Sequence, residues 1–438
     1  MAKRQSKLLG MASSLALATT CVALVAGEAP SGASTSSSSK ATITYWYPTP
    51  DPTPNTNLDA AKAFTAATGI KVNVVGTPWS SYLTKLTAAI TSGVGPDVTE
   101  IGNTWAPTFG ESGGFLTWTT SMYNAIGGKS KFLSTPMEVT GAPGKPAVSV
   151  PYLAQTWVML YNKAMFKKAG LTPPRTWTEF YADAKKLNDP AKGIYAVANG
   201  VGSSSGMETW LWILARQDGG NVYSSSGQPD FTSKADVESM TQMLQWLYPD
   251  GIINTANVAD TTATLATTEF ESGKAAMYFD QSPTVLKTPP GGYGLSYVPL
   301  PASTPPGGVK IMSHVAGENL AIFKGSKHLS EDLEFIKFLT SAKENAAINE
   351  KMFELPVTKA ALQTPYFQTA KEKVFGDILT TYAQAMPTEP SSATVEEDYA
   401  DAFIQLERKD ISQHGITSSE VQSALASAEA SAAASAAG

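Results

Sequence analysis

From Ala41 onward the sequence alternates between short runs of strand periodicity and amphipathic stretches of about ten residues, an order that few architectures accommodate. Ala41–Tyr47 (ATITYWY) interleaves β-branched and aromatic residues and predicts a strand. Leu58–Thr68 repeats apolar residues at helical spacing (Leu58, Ala61, Phe64, Ala67) and runs into Gly69, a C-cap residue. Ile70–Val75 predicts the next strand, Tyr82–Ser92 a helix closed by Gly93, and Asp97–Ile101 a third strand. Such an order builds βαβ units on a largely parallel sheet.

The pattern pauses at the Gly/Pro-rich segments Gly141–Pro151 and Pro299–Gly308. Between them lie predicted strands at Val158–Tyr161, Gly193–Ala198, Ala275–Phe279 and Tyr293–Pro299, with helices at Thr178–Leu187, Trp210–Gln217 and Lys234–Tyr248. A strand Ala316–Phe323, a helix Ser330–Leu339 and a mainly helical remainder follow. The chain is either one large α/β domain with long loops or two α/β lobes with repeated crossings between them. Its 438 residues suit the second, and such crossings make a hinge beside a cleft.

Composition narrows the chemistry. Acids outnumber bases by 38 to 32, and no basic block stands out beyond the N-terminal end, which argues against a surface that tracks phosphates. Cys21 is the single cysteine and lies in the first thirty residues, so the body has no disulfide, thiol nucleophile or cysteine metal site. His314, His328 and His414 are far apart, and neither a P-loop nor a complete GxGxxG is present; no cofactor or metal is expected. Lys3, Arg4 and Lys7 precede an apolar stretch from Leu8 to Ala26, the pattern of an export signal over 1–27, and a Ser-rich linker spans 28–40. The expected location is the extracellular face of the cell membrane or the periplasm. Leu24-Val25-Ala26-Gly27 approaches a lipobox, but Glu28 stands where the lipidated cysteine belongs.

Several segments then resemble the family 1 extracellular solute-binding proteins, the maltose-binding-protein group. They are Ile43–Trp46; Pro78-Trp79-x-x-Tyr82-x-x-Lys85-Leu86; Ser92-Gly93-x-Gly95-Pro96-Asp97-Val98; Val150-Pro151-Tyr152; and Leu160-Tyr161-Asn162-Lys163. Further on stand Phe166–Gly170, Pro173-Pro174-x-Thr176-Trp177-x-Glu179-Phe180, Phe270-x-Ser272-Gly273-Lys274-Ala275-Ala276-Met277, Gly317-x-Asn319–Ile322 and Leu355-Pro356-Val357. The resemblance covers about residues 41–410 and implies a two-lobed periplasmic-binding-protein-like α/β fold with a hinge and an interlobe cleft. The expected division is 41–152 and 301–345 in lobe 1, 153–300 and 346–425 in lobe 2, and 426–438 as an Ala/Ser-rich tail. It also implies a monomeric binder of carbohydrate, peripheral to the membrane, that delivers its cargo to the permease subunits of an ABC transporter and catalyses nothing.

A sugar site needs aromatic platforms for the C–H face and planar polar groups for the hydroxyls. The candidates in the first lobe are Trp46, Trp79, Asn103, Thr104 and Trp105. Those in the second are Gln155, Trp157, Trp210, Trp212, Asp280 and Gln281, with Glu318 beside a crossing; Trp210 matches the family's aromatic platform. Two platforms of the maltodextrin site are replaced, by Ser282-Pro283 and by Ser391-Ser392-Ala393, which argues against maltose itself. Two other classes stay open. A secreted glycosidase would need paired carboxylates from among Glu100, Glu208, Asp280 and Glu318. A glycan receptor without transport would need an open, immobile cleft. Gly202–Gly206 matches G-x-S-x-G, but Asn199–Val201 separates it from the preceding strand, unlike a nucleophile elbow.

Overall fold

The computed structural model describes residues 41–49, 55–202, 206–281, 287–387 and 389–436. The expected leader and linker, the serines of the G-x-S-x-G match and Ser282-Pro283 lie outside them. The strands in chain order are β1 Thr42–Thr49, β2 Lys71–Pro78, β3 Val98–Gly102, β4 Val150–Gln155, β5 Val158–Asn162 and β6 Tyr195–Ala198. They continue with β7 Ala275–Asp280, β8 Tyr293–Ser296, β9 Ser313–His314, β10 Ala316–Ile322, β11 Leu355–Pro356 and β12 Ala383–Gln384.

Six of these form one sheet in the order β11-β4-β10-β3-β1-β2, parallel across β2-β1-β3 and antiparallel where β10 enters. Four form a second sheet, β6-β7-β5-β8. Each strand of the first βαβ units is followed by a helix that covers the sheet. Thr56–Thr68 buries Ala60, Ala61 and Phe64 and stops at Gly69, whose φ of 78° lets its N–H reach the Thr65 carbonyl. Leu58, expected on the buried face, is exposed, and Ala60 takes its place. Helix Trp79–Ser92 buries Tyr82, Leu86 and Ala89 and ends at Gly93. Helix Trp177–Leu187 begins with a capping box, in which Thr176 Oγ1 accepts the Glu179 N–H while the Glu179 carboxylate accepts the Thr176 N–H.

The two sheets are joined where the chain passes between them. β4 leaves the first sheet at Gln155 and β5 enters the second at Val158; β9 and β10 are separated by Val315 alone. The third passage contains β12, which pairs parallel with β9. These passages bond to each other: Trp157 N–H to Ser313 Oγ at 2.9 Å, Val315 N–H to the Gln384 carbonyl at 2.9 Å, and Met312 N–H to the Tyr382 carbonyl at 3.1 Å. The result is a short bonded ribbon between two larger sheets, the local structure of a hinge.

Residues 342–362 pack on the first sheet throughout. Asn345 donates to the Tyr152 carbonyl at 2.8 Å and accepts the Val357 N–H at 3.0 Å, while β11 extends the sheet beyond β4. The boundary expected at 345 therefore divides a segment that is one packing unit. At the other end, the Ala/Ser-rich stretch expected from 426 continues the helix Ser418–Ala436. It buries Leu425 and Ala432, and Glu429 accepts the Phe231 N–H at 2.8 Å.

Gly317, in β10 beside the hinge, has φ of 136°, and a Cβ there would collide with the Leu153 carbonyl of β4. We expect Gly317→Ala to lower unfolding free energy by about 1–3 kcal/mol in urea denaturation. An unchanged midpoint would show that this close approach is not required.

Candidate functional site

A cavity of about 630 Å3 lies between the two sheets at the hinge. The first sheet contributes through the loop after β3. Gly102 has no side chain, so the Trp105 and Trp79 rings close over its α-carbon; a Cβ would meet the Trp105 ring at 3.1 Å. The two indoles stack at 4.7 Å between centroids with 28° between planes, and Trp79 remains 36% exposed. Both line the cavity, as do Asn103 and Thr104. Asn103 spends its amide donor on the Val315 carbonyl at 2.8 Å, which ties this loop to the hinge, and Thr104 Oγ1 donates to Glu396 Oε2 at 3.1 Å.

From the hinge and the second sheet come Gln155, Trp157, Asp280 and Gln281, and β10 of the first sheet adds Glu318 opposite Gly102 of β3. Gln155 donates to Glu354 at 2.9 Å and accepts from the Gln281 amide at 2.8 Å, a chain of side-chain amides across the floor. The Trp157 indole N–H reaches Thr209 Oγ1 at 3.2 Å. Asp280 Oδ1 accepts the Gln281 N–H at 2.8 Å. A register shift between Glu318 and Asn319 in β10 bends the strand where Glu318 meets the cavity.

Three expected residues lie elsewhere. Trp210, expected as the main platform, is fully buried; its ring packs on Trp157 and Phe279 at 4.9 and 4.8 Å, and its N–H points to Met243 Sδ. Trp212 is buried with its N–H on Asn221 Oδ1 at 2.8 Å. Their helix, Met207–Gln217, buries nine of its 11 residues, and only its first turn reaches the cavity. Trp46 ends up under Lys85, whose Nζ sits 3.9 Å from the ring centre, outside the cavity lining.

Sequence reasoning passed over Glu396 and His314 and weighed Glu208 only as a catalytic carboxylate. Glu396, from helix Ser392–Gln413, and Glu208, from the first turn of Met207–Gln217, both line the cavity, and so does His314. Burial pushes Glu208 up to about 7, against the pull of the Gly206 and Glu208 N–H groups. Burial and then the Glu208 charge push Glu396 up to about 8. His314 is pushed down to about 3 by burial and is therefore neutral. Behind Glu318, Glu100 is wholly buried, hydrogen-bonded by the Tyr45 hydroxyl, and raised well above the carboxylate range by burial and by the Glu318 charge. Of the four carboxylates weighed for catalysis, Glu208, Asp280 and Glu318 reach the cavity, and Glu100 does not.

Glu396 carried a signal in the sequence: it stands on the apolar stripe Val395, Tyr399, Ala402, Phe403 of its helix, where a solvated charge has no place. Its raised value has a sign for stability. Between the ordinary carboxylate value and about 8 the folded state holds a proton that the unfolded state has lost, so the group makes the fold less stable as pH rises through that window. Glu396→Gln should therefore stabilise the protein at pH 8 relative to its effect at pH 5, by about 1 kcal/mol or more in thermal unfolding. An equal effect at both pH values would contradict a proton held at this position.

The chain is similar to proteins of known type. The family model described as bacterial extracellular solute-binding protein matches residues 49–346. The diacetylchitobiose binding protein DasA of Streptomyces coelicolor is 27% identical over 355 residues, 78% of each chain. The sn-glycerol-3-phosphate-binding periplasmic protein UgpB of Brucella melitensis is 28% identical over 261 residues, 54% of each chain. Among solved structures, the GacH receptor of Streptomyces glaucescens superimposes with a TM-score of 0.75 at 19% identity, over 90% of this chain and 99% of that one. Maltose-bound MalE3 of T. maritima gives 0.75 at 19% identity, over 89% and 99%. At that identity the structural likeness establishes the fold, two α/β lobes around a cleft. With more than half of its length matched by the family model, this chain belongs to the bacterial extracellular solute-binding proteins.

Proposed function

We propose that this protein captures a sugar, probed first as a di- or oligosaccharide, in the interlobe cleft and delivers it to the permease of an ABC importer. The observation that carries the reading is one cavity that combines a partly exposed indole, Trp79 stacked on Trp105, with planar amides and carboxyls from the hinge and from both sheets. An indole face receives the C–H face of a pyranose, and Gln155, Gln281, Asp280 and Glu318 are suited to its hydroxyl rim. The walls come from different sheets and the hinge ribbon joins them, so ligand contact with both stabilises a closed form. The closed form, a monomer peripheral to the membrane, is what the permease would recognise. The similarity to DasA and to maltose-bound MalE3 supports a saccharide as cargo. A phosphate ester of the kind named for UgpB is disfavoured, because no lysine or arginine lines the cavity among the described residues. No step of this role uses a cofactor. Export and attachment to the outer membrane face, with or without a lipid, belong to the same reading.

The competing reading is a secreted glycosidase, and the presence of Glu208, Asp280 and Glu318 in one cavity is what favours it. Isothermal titration with a panel of di- and oligosaccharides, followed by chromatography of the recovered glycan, separates the two. We expect saturable binding with the glycan recovered intact, and Trp79→Ala to weaken that binding about ten-fold or more through loss of the stacking face. Cleavage of the glycan would contradict capture without catalysis, and unchanged affinity in Trp79→Ala would remove the indole stack from the site.

A further inference from the structure

The charge of the cleft is one-sided. Glu208, Asp280, Glu318, Glu396 and Glu397 line it; no lysine or arginine does among the described residues, and His314 is neutral. Such a concave wall focuses a negative field on whatever occupies it. Glu396 is only 9% exposed and spends Oε2 on Thr104, which leaves Oε1 without a hydrogen-bond partner, and Oε2 of Glu208 is in the same state. Buried carboxyl oxygens without a donor are costly, so a ligand that fills them gains from doing so. A sugar hydroxyl supplies a donor but no charge, whereas an ammonium supplies a donor and, as these carboxyls give up their protons, the counter-charge to the carboxylates. The rest of the lining suits a cation as well, since it includes the indoles of Trp79, Trp105 and Trp157, whose π-systems are electron-rich.

We propose that the sugar taken up in this cleft is an amino sugar with a free, protonated amine, held by the carboxyls of Glu396 and Glu208. The inference rests on the sugar-capture reading and names the class of cargo within it. It has a protonic consequence. Both carboxyls are pushed up by burial, so they hold protons in the unliganded site below neutral pH, and pairing with an ammonium expels those protons.

The test compares two disaccharides with the same β-1,4 linkage that differ in the amine: the fully deacetylated glucosamine dimer and cellobiose, with the N,N′-diacetylated dimer as a third ligand. Isothermal titration of the mature chain near pH 6.5, in two buffers of different ionisation heat, reads affinity and proton release together. We expect the free-amine dimer to bind at least about ten-fold tighter than cellobiose, with protons released on binding, and Glu396→Gln or Glu208→Gln to cut that preference to about three-fold or less. Melting curves of both variants establish that they fold, and the comparison of ligands on the unmodified chain does not depend on them. Cellobiose or the diacetylated dimer binding as tightly as the free amine would overturn the inference and leave sugar capture standing. A ten-fold preference that survives in both variants would overturn the assignment to these carboxyls. If none of the three binds and no other saccharide does, the sugar reading fails together with it.

Discussion

Everything that faces the cleft hangs from three chain passages bonded to one another between the sheets. The N–H of Trp157 on Ser313 Oγ, that of Met312 on the Tyr382 carbonyl and that of Val315 on the Gln384 carbonyl make a ribbon only a few bonds wide. A wide sheet would fix the lobes rigidly; a single strand would leave their orientation undefined. A narrow ribbon permits rotation while conserving register. Gln155, Trp157, His314, Gly317 and Glu318 lie within or beside these passages and line the cavity, so the site is built at the pivot. A ligand that bridges the walls there works on the two lobes with little translation, and Asn103, bonded to the Val315 carbonyl, couples the indole loop to the same ribbon.

The cleft stores unfavourable electrostatics that the core does not need. Carboxyls at Glu208, Glu396 and, behind Glu318, Glu100 are held toward their protonated forms by burial, reinforced at Glu396 by the Glu208 charge and at Glu100 by the Glu318 charge. Buried acidic groups without basic partners weaken a fold, and sites that bind ligands are where such costs are commonly retained. The surrounding scaffold absorbs the cost through ordinary means: the capped helices Thr56–Thr68 and Trp177–Leu187 and the aromatic cluster of Trp177, Phe180, Trp246 and Phe279 under the second sheet.

Most of the fold was legible because its elements alternate between periods of two and 3.6 and are punctuated by glycine. Gly69 and Gly93 end helices where the sequence says they should, and the strands at 98–102, 158–162, 275–280 and 316–322 fall within a residue or two of their patterns. The lining of the candidate site was legible in part. Trp79, Asn103, Thr104, Trp105, Gln155, Trp157, Asp280, Gln281 and Glu318 are brought to one cavity because each sits at the end of a strand or at a passage between sheets. Trp210 and Trp212 misled for a physical reason. Their helix is apolar nearly all round, so no stripe marks which side faces ligand, and a tryptophan suits a core as well as a platform. Trp46 was placed by its position at a strand end, but the neighbouring strand and helix bring Lys85 over its ring. Glu396 and His314 come from distant segments, and only the packing of helix Ser392–Gln413 and of β9 against the hinge brings them in.

Small-angle X-ray scattering of the chain from Ala41 onward, without and with a saturating saccharide of established affinity, tests the two-lobed capture account most directly. Closure of the lobes about the ribbon predicts a smaller radius of gyration on binding, together with loss of any more open population in the unliganded sample. A radius of gyration and distance distribution that stay the same at full occupancy would contradict closure around the ligand and return the protein to the class of immobile glycan receptors.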